Sequence, residues 1–523
     1  MQNSRSLVAC LLLLAGCSAT LPAPPPQDSA LVQPLGLAVP GPAETRLSEA
    51  VARAQDIDGR VNAIIALDPT ARDQARNVDL MPLTGPLVGR PILIKDNIET
   101  AGPLPTTAGS LALIDNLANR DAPIVTRLRA AGMVIVGKAN LSEWANIRDN
   151  DSISGWSAVG GQTRNPYALN RNPCGSSSGS GAAVAAGIVD YAIGTETNGS
   201  ISCPASINGI VGMKPTVGLV SRTHIVPISV TQDTAGPMTR TVRQAAELLT
   251  AIAGTDPADP STAEADKRKA DYATALDGAS LKGKRLGLMR FASGFGTDEA
   301  LDKALAVLRA QGAEIVEIKE LGGAKEGPKQ LTVLLTEFKA GLNAYLATTP
   351  PSVKTRTLAD VIAFNKASSR ELALFGQDLF EQAEKTKGLD DPDYKKARDG
   401  GIAYAGKNGI DRLLRDNRVD ALIGPTVSPA WMIDAVNGDQ YPGGGGGYLA
   451  AIAGYPHLTV PMGQVKGLPV GLSFIGPKWS DGLLLSLGYA YEQARGPFPA
   501  PQFLPSIEQA PGVAPLLEKP VMP

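Results

Sequence analysis

Two serine-bearing segments and two lysines that follow apolar runs are where this chain can do chemistry. Cys174-Gly-Ser-Ser-Ser-Gly-Ser-Gly181 leads straight into an Ala-rich stretch. Its backbone N–H groups therefore fall at a helix N-terminus, a natural cradle for negative charge. A phosphate loop would close with Gly-Lys-Ser or Gly-Lys-Thr, and neither follows. A flexible Gly/Ser linker has a similar composition, but linkers do not lie between a Pro-Cys dipeptide and a buried helix. In the second segment, Gly194-Thr-Glu-Thr-Asn-Gly-Ser200-Ile-Ser-Cys-Pro204, an apolar run gives way to a small-residue turn. A serine there projects into a cleft while the N–H groups of Thr197 to Ser200 converge on one point, which is an oxyanion hole in outline.

A serine hydroxyl is a poor nucleophile without a base. The chain has 2 histidines, His224 and His457, and neither lies in a recognisable motif. The Gly-x-Ser-x-Gly nucleophile elbow is absent around Ser176 and Ser200. A lysine remains, provided that burial lowers its pKa towards neutrality by disfavouring the ammonium form. Lys95 follows Pro91-Ile-Leu-Ile94 and Lys138 follows Met133-Val-Ile-Val136, so both sit just past a buried strand. Physical reasoning on the sequence leaves the choice between them open. With no CxxC, no HExxH and no cluster of histidines and carboxylates, no metal site is expected.

The elements that must position these residues alternate. Leu47, Val51, Ala54 and Ile57 recur at helical spacing and predict a first helix from about Glu44 that ends by Gly59. Pro91–Ile94 reads as a buried strand delivering Lys95, Asp96 and Asn97. Asp121 then caps a helix carrying Ile124, Val125 and Leu128, which Gly132 stops before a second strand at Met133–Val136. An Ala-rich helix over about 179–187 feeds a third apolar run, Ile188–Ile193. This alternation predicts an α/β fold, a sheet with helices on both faces. Residues 260–420 are more charged and read as a helical insertion. Sheet signals return at Val419–Ile423, Leu458–Val460 and Val470–Ile475, and the five glycines Gly443–Gly447 read as a solvent loop or a lid.

Composition bounds the rest. At 523 residues with 43% hydrophobic content the chain can bury a large core, and a net charge of −2 with interspersed acids and bases gives no field for nucleic acid. Arg5, the apolar run Leu7–Leu14 and the small residues before Cys17 read as a signal peptide over 1–16, too short to span a bilayer. Leu14-Ala-Gly-Cys17 resembles the lipobox of bacterial lipoproteins, which implies lipidation of Cys17, with export to the periplasm. Ser18 is similar to the pattern that sends such proteins to the outer membrane, so membrane contact is expected through a lipid anchor alone. A Pro/Ala-rich linker then covers 17–43, a catalytic body 44–497 and a Pro-rich surface tail 498–523. Past Cys17 only Cys174 and Cys203 remain, no disulfide framework; in an oxidising compartment the two could pair, but two buried free thiols are expected.

The Gly-Ser-Ser-Ser-Gly run, the spacing of 24 residues from Ser176 to Ser200, and Lys95-Asp-Asn97 together resemble the amidase signature family. The similarity runs from Gly85-Pro-Leu-Val-Gly-Arg-Pro91 to Gly467-Leu-Pro-Val-Gly-Leu472. Asn140-Leu-Ser-Glu-Trp-Ala-Asn146, Asn150-Asp-Ser-Ile-Ser-Gly-Trp156 and Gly454-Tyr-Pro-His-Leu-Thr-Val-Pro461 are most similar to bacterial peptide amidases. The resemblance implies a large mixed β-sheet covered by helices and a cofactor-free Ser-cisSer-Lys triad: Ser200 as nucleophile, Ser176 as proton relay, Lys95 as base. It implies a cis peptide at Gly175-Ser176, an oxyanion hole at Thr197, Asn198 and Gly199, and a structural role for Lys138. It also places Asn150 and Ser152 beside the leaving amide. Two departures stand out: Asn198 where many members carry Gly or Asp, and Ser202 where many carry Arg, an arginine peptide amidases also lack. The implied reaction is hydrolysis of a peptide or small-molecule carboxamide. The alternatives are a broad small-molecule amidase, the amidase subunit of a tRNA-dependent amidotransferase, and a non-catalytic binding lipoprotein.

Overall fold

The computed structural model describes residues 40–322 and 327–517. The signal and lipobox, including Cys17, and most of the linker lie outside the described residues. Thirteen strands are present among the described residues: β1 Ile64–Leu67, β2 Pro91–Lys95, β3 Val134–Ala139, β4 Trp156–Ser157, β5 Gly161–Gln162, β6 Tyr191–Glu196, β7 Val211–Lys214, β8 Thr234–Thr239, β9 Arg285–Met289, β10 Glu314–Ile318, β11 Ala421–Pro425, β12 His457–Val465 and β13 Leu468–Ile475. Eleven of them form one mixed sheet in the order β1-β3-β2-β6-β8-β7-β12-β13-β11-β9-β10, and β4 pairs with β5 alone. β2 runs parallel to both β3 and β6, so Lys95 leaves the sheet with a strand on either side.

Alternation along β2 sends Ile92 and Ile94 to one face and Leu93 to the other, and both faces are covered. Helices α1 (Pro42–Val61), α2 (Ala71–Leu80), α4 (Ser178–Ala185) and α5 (Ser202–Ile207) pack with Leu93. Helices α3 (Pro123–Ala130) and α6 (Val242–Ile252), with those at Asp298–Ala310 and Asp481–Arg495, pack with Ile92 and Ile94. A third cluster, built on Phe338, Leu342 and Phe380, lies among helices Gln330–Leu346, Leu358–Ala367 and Asp378–Glu384.

Local differences from the sequence reading have identifiable causes. α1 runs on to Val61, and Asn62 closes it in the left-handed region at φ 52°. Asp121 is not the cap of α3: Ala122 is, with Pro123 in the first turn, and the Asp121 carboxylate instead accepts from Ala101 N at 2.7 Å and Arg129 Nε at 2.9 Å. The second strand begins a residue late and extends to Ala139, and the third is displaced to Tyr191–Glu196. Residues 260–420 are not wholly a helical insertion. β9 and β10 within them extend the sheet in parallel, and β10 is an edge strand whose Glu314 and Glu317 face solvent, which hides its strand pattern. After Gly496 the chain is not merely superficial, since Ile507 and Ala510 pack with Tyr167, Ala168 and Leu468. Among the described residues no helix is long and apolar enough to cross a membrane.

Candidate active site

β2 ends in Lys95, which is fully buried, and its Nζ lies 2.8 Å from Ser176 Oγ, 2.8 Å from Thr195 Oγ1 and 3.3 Å from Thr195 O. Three oxygens thus surround a group with three possible N–H bonds. Thr195 belongs to β6, the parallel neighbour of β2, so the pairing of these strands brings lysine and threonine together. Asn97 Nδ2 donates to the same Thr195 Oγ1 at 3.0 Å. Burial pushes the Lys95 pKa down to about 7, opposed by the negative charges of Asp233 and Glu196.

Ser176 precedes α4, and the Gly175-Ser176 peptide is cis. The Ser176 carbonyl accepts from Ser142 N at 3.0 Å. Gly175 is required by close approach, because a Cβ there would stand 2.0 Å from Ser142 Oγ. Ser200 occupies the turn between β6 and α5, and the two serine segments are laced together: Ser177 N donates to Ser200 O at 3.1 Å and Ser177 Oγ to Thr195 O at 3.1 Å. Glu196 fixes the far side of the turn, its Oε2 accepting from Ile201 N at 2.8 Å, Ser202 N at 2.9 Å and Ser202 Oγ at 3.1 Å. The backbone N–H groups of Thr197, Asn198, Gly199 and Ser200 donate to no acceptor among the described residues. The turn therefore presents free donors, as an oxyanion site needs.

Cys174 and Cys203 are not free thiols; they form a disulfide across 29 residues of sequence. Cys174 lies two residues before Ser176 and Cys203 three after Ser200, so the bond joins the two serine segments a second time. The folding of α4 and α5 against each other brings the sulfurs within bonding distance, which sequence spacing alone does not reveal.

Asn198 and Gly199 line a cavity of ≈ 410 Å³. Trp431 and Tyr441 stand edge to face in its wall, ring centroids 5.3 Å apart. Asp439, also in the wall, accepts from Trp431 Nε1 at 3.1 Å, Asn172 Nδ2 at 2.7 Å and Ser154 N at 3.1 Å. Three of the five glycines, Gly444, Gly445 and Gly447, form part of the same wall. Gly445 N donates to Ala292 O at 3.0 Å, and at φ 81° its Cβ position lies 2.0 Å from Thr426 O, so only glycine fits.

Asn150 and Ser152 stand apart from this cavity. Asn150 is exposed, its side chain donating to Asp378 Oδ2 at 2.5 Å, and Ser152 Oγ donates to Asp149 O at 2.7 Å. From the same stretch of chain it is Asn146 and Ser154 that line the cavity.

Lys138 is equally buried, but its register partner on β2 is Ile94 rather than Lys95, so the two lysines point to opposite faces of the sheet. Lys138 Nζ donates to Ile98 O at 2.5 Å and Thr106 Oγ1 at 2.9 Å and pairs with Asp96 Oδ1 at 3.5 Å. A third buried lysine, Lys214, ends β7 and donates to Pro215 O at 3.0 Å, with its pKa lowered by burial to about 8. Sequence reasoning misses it, although Val211-Gly-Met-Lys214 carries the same strand-then-lysine signal as Lys95. His457 is buried against Ser473 Oγ at 2.7 Å and pushed down to about 4 by burial. His224 lies 3.8 Å from Glu99 Oε2 and lines another cavity, which Thr195 and Thr197 also line. Among the described residues no cluster of His, Cys, Asp and Glu could hold a metal.

A mixed, helix-covered sheet with a buried lysine and two laced serine segments at its centre defines the class: a hydrolase fold built on lysine rather than histidine. The family model described as Amidase matches residues 46–485. A probable amidase of Arabidopsis thaliana is 40% identical over 456 residues, covering 83% of each chain. The solved structure of native peptide amidase from Stenotrophomonas maltophilia superposes with a TM-score of 0.82 at 49% identity, covering 88% of this chain and 95% of that one. The A subunit of the glutamyl-tRNA(Gln) amidotransferase of Exiguobacterium sibiricum is 34% identical over 475 residues, covering 88% of this chain and 96% of its own. The chain belongs to the amidase family, and within the amidase signature fold it is an amide hydrolase structurally close to peptide amidase.

Proposed function

We propose that this amidase hydrolyses the C-terminal carboxamide of peptides, releasing ammonia through a Ser200 acyl-enzyme. The observation that carries the reading is the 2.8 Å contact between a fully buried Lys95, lowered to about 7, and Ser176 Oγ. A lysine in that state is neutral for much of the time near pH 7 and can accept a proton. Ser200 Oγ attacks the amide carbon while its proton passes to Ser176 and the Ser176 proton to Lys95 Nζ. The N–H groups of Thr197, Asn198 and Gly199 meet the oxyanion. The Lys95 ammonium then returns a proton through Ser176 to the amide nitrogen, the C–N bond breaks, and ammonia leaves. Water, deprotonated by the same relay, cleaves the Ser200 ester and yields the acid.

Peptide as the acyl partner is supported by likeness to peptide amidase, one structure of which is a complex with the competitive inhibitor chymostatin, at 50% identity and a TM-score of 0.83. The ≈ 410 Å³ cavity with its aromatic wall has room for one or two residues. Incubating the purified protein with a C-terminally amidated peptide and its acid-ended twin tests this: ammonia is expected from the amide alone. Ammonia from simple aliphatic and aryl amides but not from the peptide would favour the broad small-molecule reading. Glutaminase activity confined to a complex with charged tRNA would favour the amidotransferase reading. Ser200→Ala is expected to abolish turnover with the fold intact and Lys95→Ala nearly to do so; retained activity in either overturns the triad.

Export and anchoring belong to this proposal: the lipobox-like Leu14-Ala-Gly-Cys17 supports a periplasmic protein tethered by lipid at Cys17. Mass spectrometry of the mature N-terminus decides it, since an unmodified residue other than Cys17 rejects lipidation.

A further inference from the structure

A second cavity of ≈ 640 Å³, which shares no lining residue with the aromatic one, reaches the serine turn at Thr197. Thr195, Thr197, Asn97 and Asp233 share one part of its wall. β8 pairs antiparallel with β6, Glu196 opposite Thr234, so Asp233 enters the sheet directly across from Thr197. Its Oδ1 accepts from Thr197 Oγ1 at 2.6 Å, while its Oδ2 accepts from Ile228 N and Ser229 N at 2.8 Å each. One carboxylate thus joins the first residue of the free-amide turn to the 228–233 loop. That loop is held in turn, since the carboxylate of buried Glu337 accepts from Ser229 Oγ and Thr231 N.

We propose that Asp233 is a positioning residue for amide hydrolysis: through Thr197 it fixes the turn that carries the oxyanion amides, and its negative charge acts on the Lys95 base. This rests on the function proposed above. Two features make the charge effective. Lys95 and Asp233 both bond to the end of one strand, through Thr195 and Thr197, and Lys95 is fully buried while Asp233 is half-buried, so screening by water between them is reduced. Asp233 is also the strongest charge favouring protonated Lys95. The other charged groups around the lysine are committed. Glu196 is bonded to Ile201, Ser202 and the Ser202 hydroxyl. Asp96 faces Lys138 on the opposite side of the sheet. Lys214 of β7 and His457 of β12 interact chiefly with Glu196. Within the second cavity Arg222 pairs with Asp259 at 2.7 Å and His224 lies 3.8 Å from Glu99, so neither cation is paired with Asp233.

Asp233→Asn separates charge from shape. The amide oxygen can accept from Ile228 N and Ser229 N, and its NH2 can donate to Thr197 Oγ1, so the turn keeps its anchor while the charge is lost. With an amidated peptide as substrate and kcat/KM followed from pH 5 to 9, the acid limb that reports Lys95 is expected to move down by about 0.5 to 1 pH unit. Asp233→Glu, which keeps the charge but displaces the anchor, is expected to hold the limb in place while kcat falls. Thr197→Val keeps the charge and cuts the anchor; kcat is expected to fall about 10- to 100-fold with KM little changed. A limb that stays put or rises in Asp233→Asn overturns the inference, as does a Thr197→Val kcat within about twofold of wild type. Should Asp233→Asn fail to fold, the Thr197→Val result decides. A wild type that shows no acid limb would sink the lysine mechanism itself, whereas a wild-type limb indifferent to Asp233 sinks this inference alone.

Discussion

Removing the Cys174–Cys203 bond tests how much of the site depends on the two serine segments being tied. The bond closes a chain separation of 29 residues. In the loop-entropy treatment a closed loop of this length restricts the unfolded chain by about 12 cal/mol/K, or about 3.5 kcal/mol at 25 °C. Unfolding entropy for a body of this size is on the order of 1 kcal/mol/K near the midpoint, so the expected fall in Tm is about 3 to 4 °C. The effect on activity is expected to be larger than that shift suggests. Cys174 lies two residues before Ser176 and Cys203 lies in α5, just beyond Ser200, so freeing them loosens two reacting groups at once. Positioning errors act mainly on turnover, and kcat is expected to fall about tenfold or more while KM changes little. Calorimetry and steady-state kinetics on the oxidised protein, the reduced protein and the Cys174→Ser/Cys203→Ser double variant measure both. Both cysteines line the ≈ 410 Å³ cavity, which gives a reductant a route to the sulfurs. In protein that starts beyond Cys17, where Cys174 and Cys203 are the cysteines left, two thiols titrated after unfolding without reductant would refute the pairing. A double variant matching wild type in Tm within about 1 °C and in kcat would refute the coupling of this bond to the site.

Thr195→Val removes one of three acceptors around Lys95 Nζ, the Thr195 hydroxyl at 2.8 Å. A hydrogen bond to a charged group contributes about 1.5 kcal/mol or more, so the ammonium is disfavoured and the acid limb of kcat/KM is expected to drop by about one pH unit; an upward shift would contradict a lysine base. Glu492 accepts from Val242 N at the start of α6, and burial raises its pKa to about 7 from 4.5. An acid with a raised native pKa costs nothing below its unfolded value and loses stability as pH rises from there to its folded value. Glu492→Gln is therefore expected to match wild type near pH 4 and to be more stable by about 2 to 3 kcal/mol at pH 8. Thermal melts at the two pH values check this, and an unchanged difference between them would show that Glu492 ionises freely in the native state.

What is legible in the sequence is local. Pro91–Ile94 reads as a buried strand because alternation is replaced by an unbroken apolar run, and Lys95 at its end inherits that burial. The choice between Lys95 and Lys138 is not legible, because it turns on pairing: β3 sets Lys138 beside Ile94 and not beside Lys95, so the lysines face opposite sides of the sheet. The same holds for Thr195 and Asp233, which reach the site through the β6 pairings with β2 and β8. The disulfide is hidden because the count of cysteines speaks to compartment and framework, not to whether two helices bring a pair together. β10 escapes notice because an edge strand with exposed glutamates lacks the apolar pattern of the central strands.

The breadth of the sheet follows from the base it must carry. Lowering a lysine from 10.5 to about 7 corresponds to about 5 kcal/mol against the charged form, and that requires removal from water on every side. An edge strand cannot supply this: β10, open on one side, exposes Glu314. β2 can, with a strand paired on either side and separate apolar clusters closing both faces. The three oxygens of Ser176 and Thr195 then satisfy the amine without a carboxylate in contact, so burial lowers its pKa and no ion pair restores it. Lys138 makes the contrast within the same sheet: it is as buried, yet Asp96 at 3.5 Å supplies a partner charge, and it faces away from both serines. Burial alone therefore does not make a base here. Burial without a carboxylate in contact, beside a hydroxyl that can pass a proton, distinguishes Lys95.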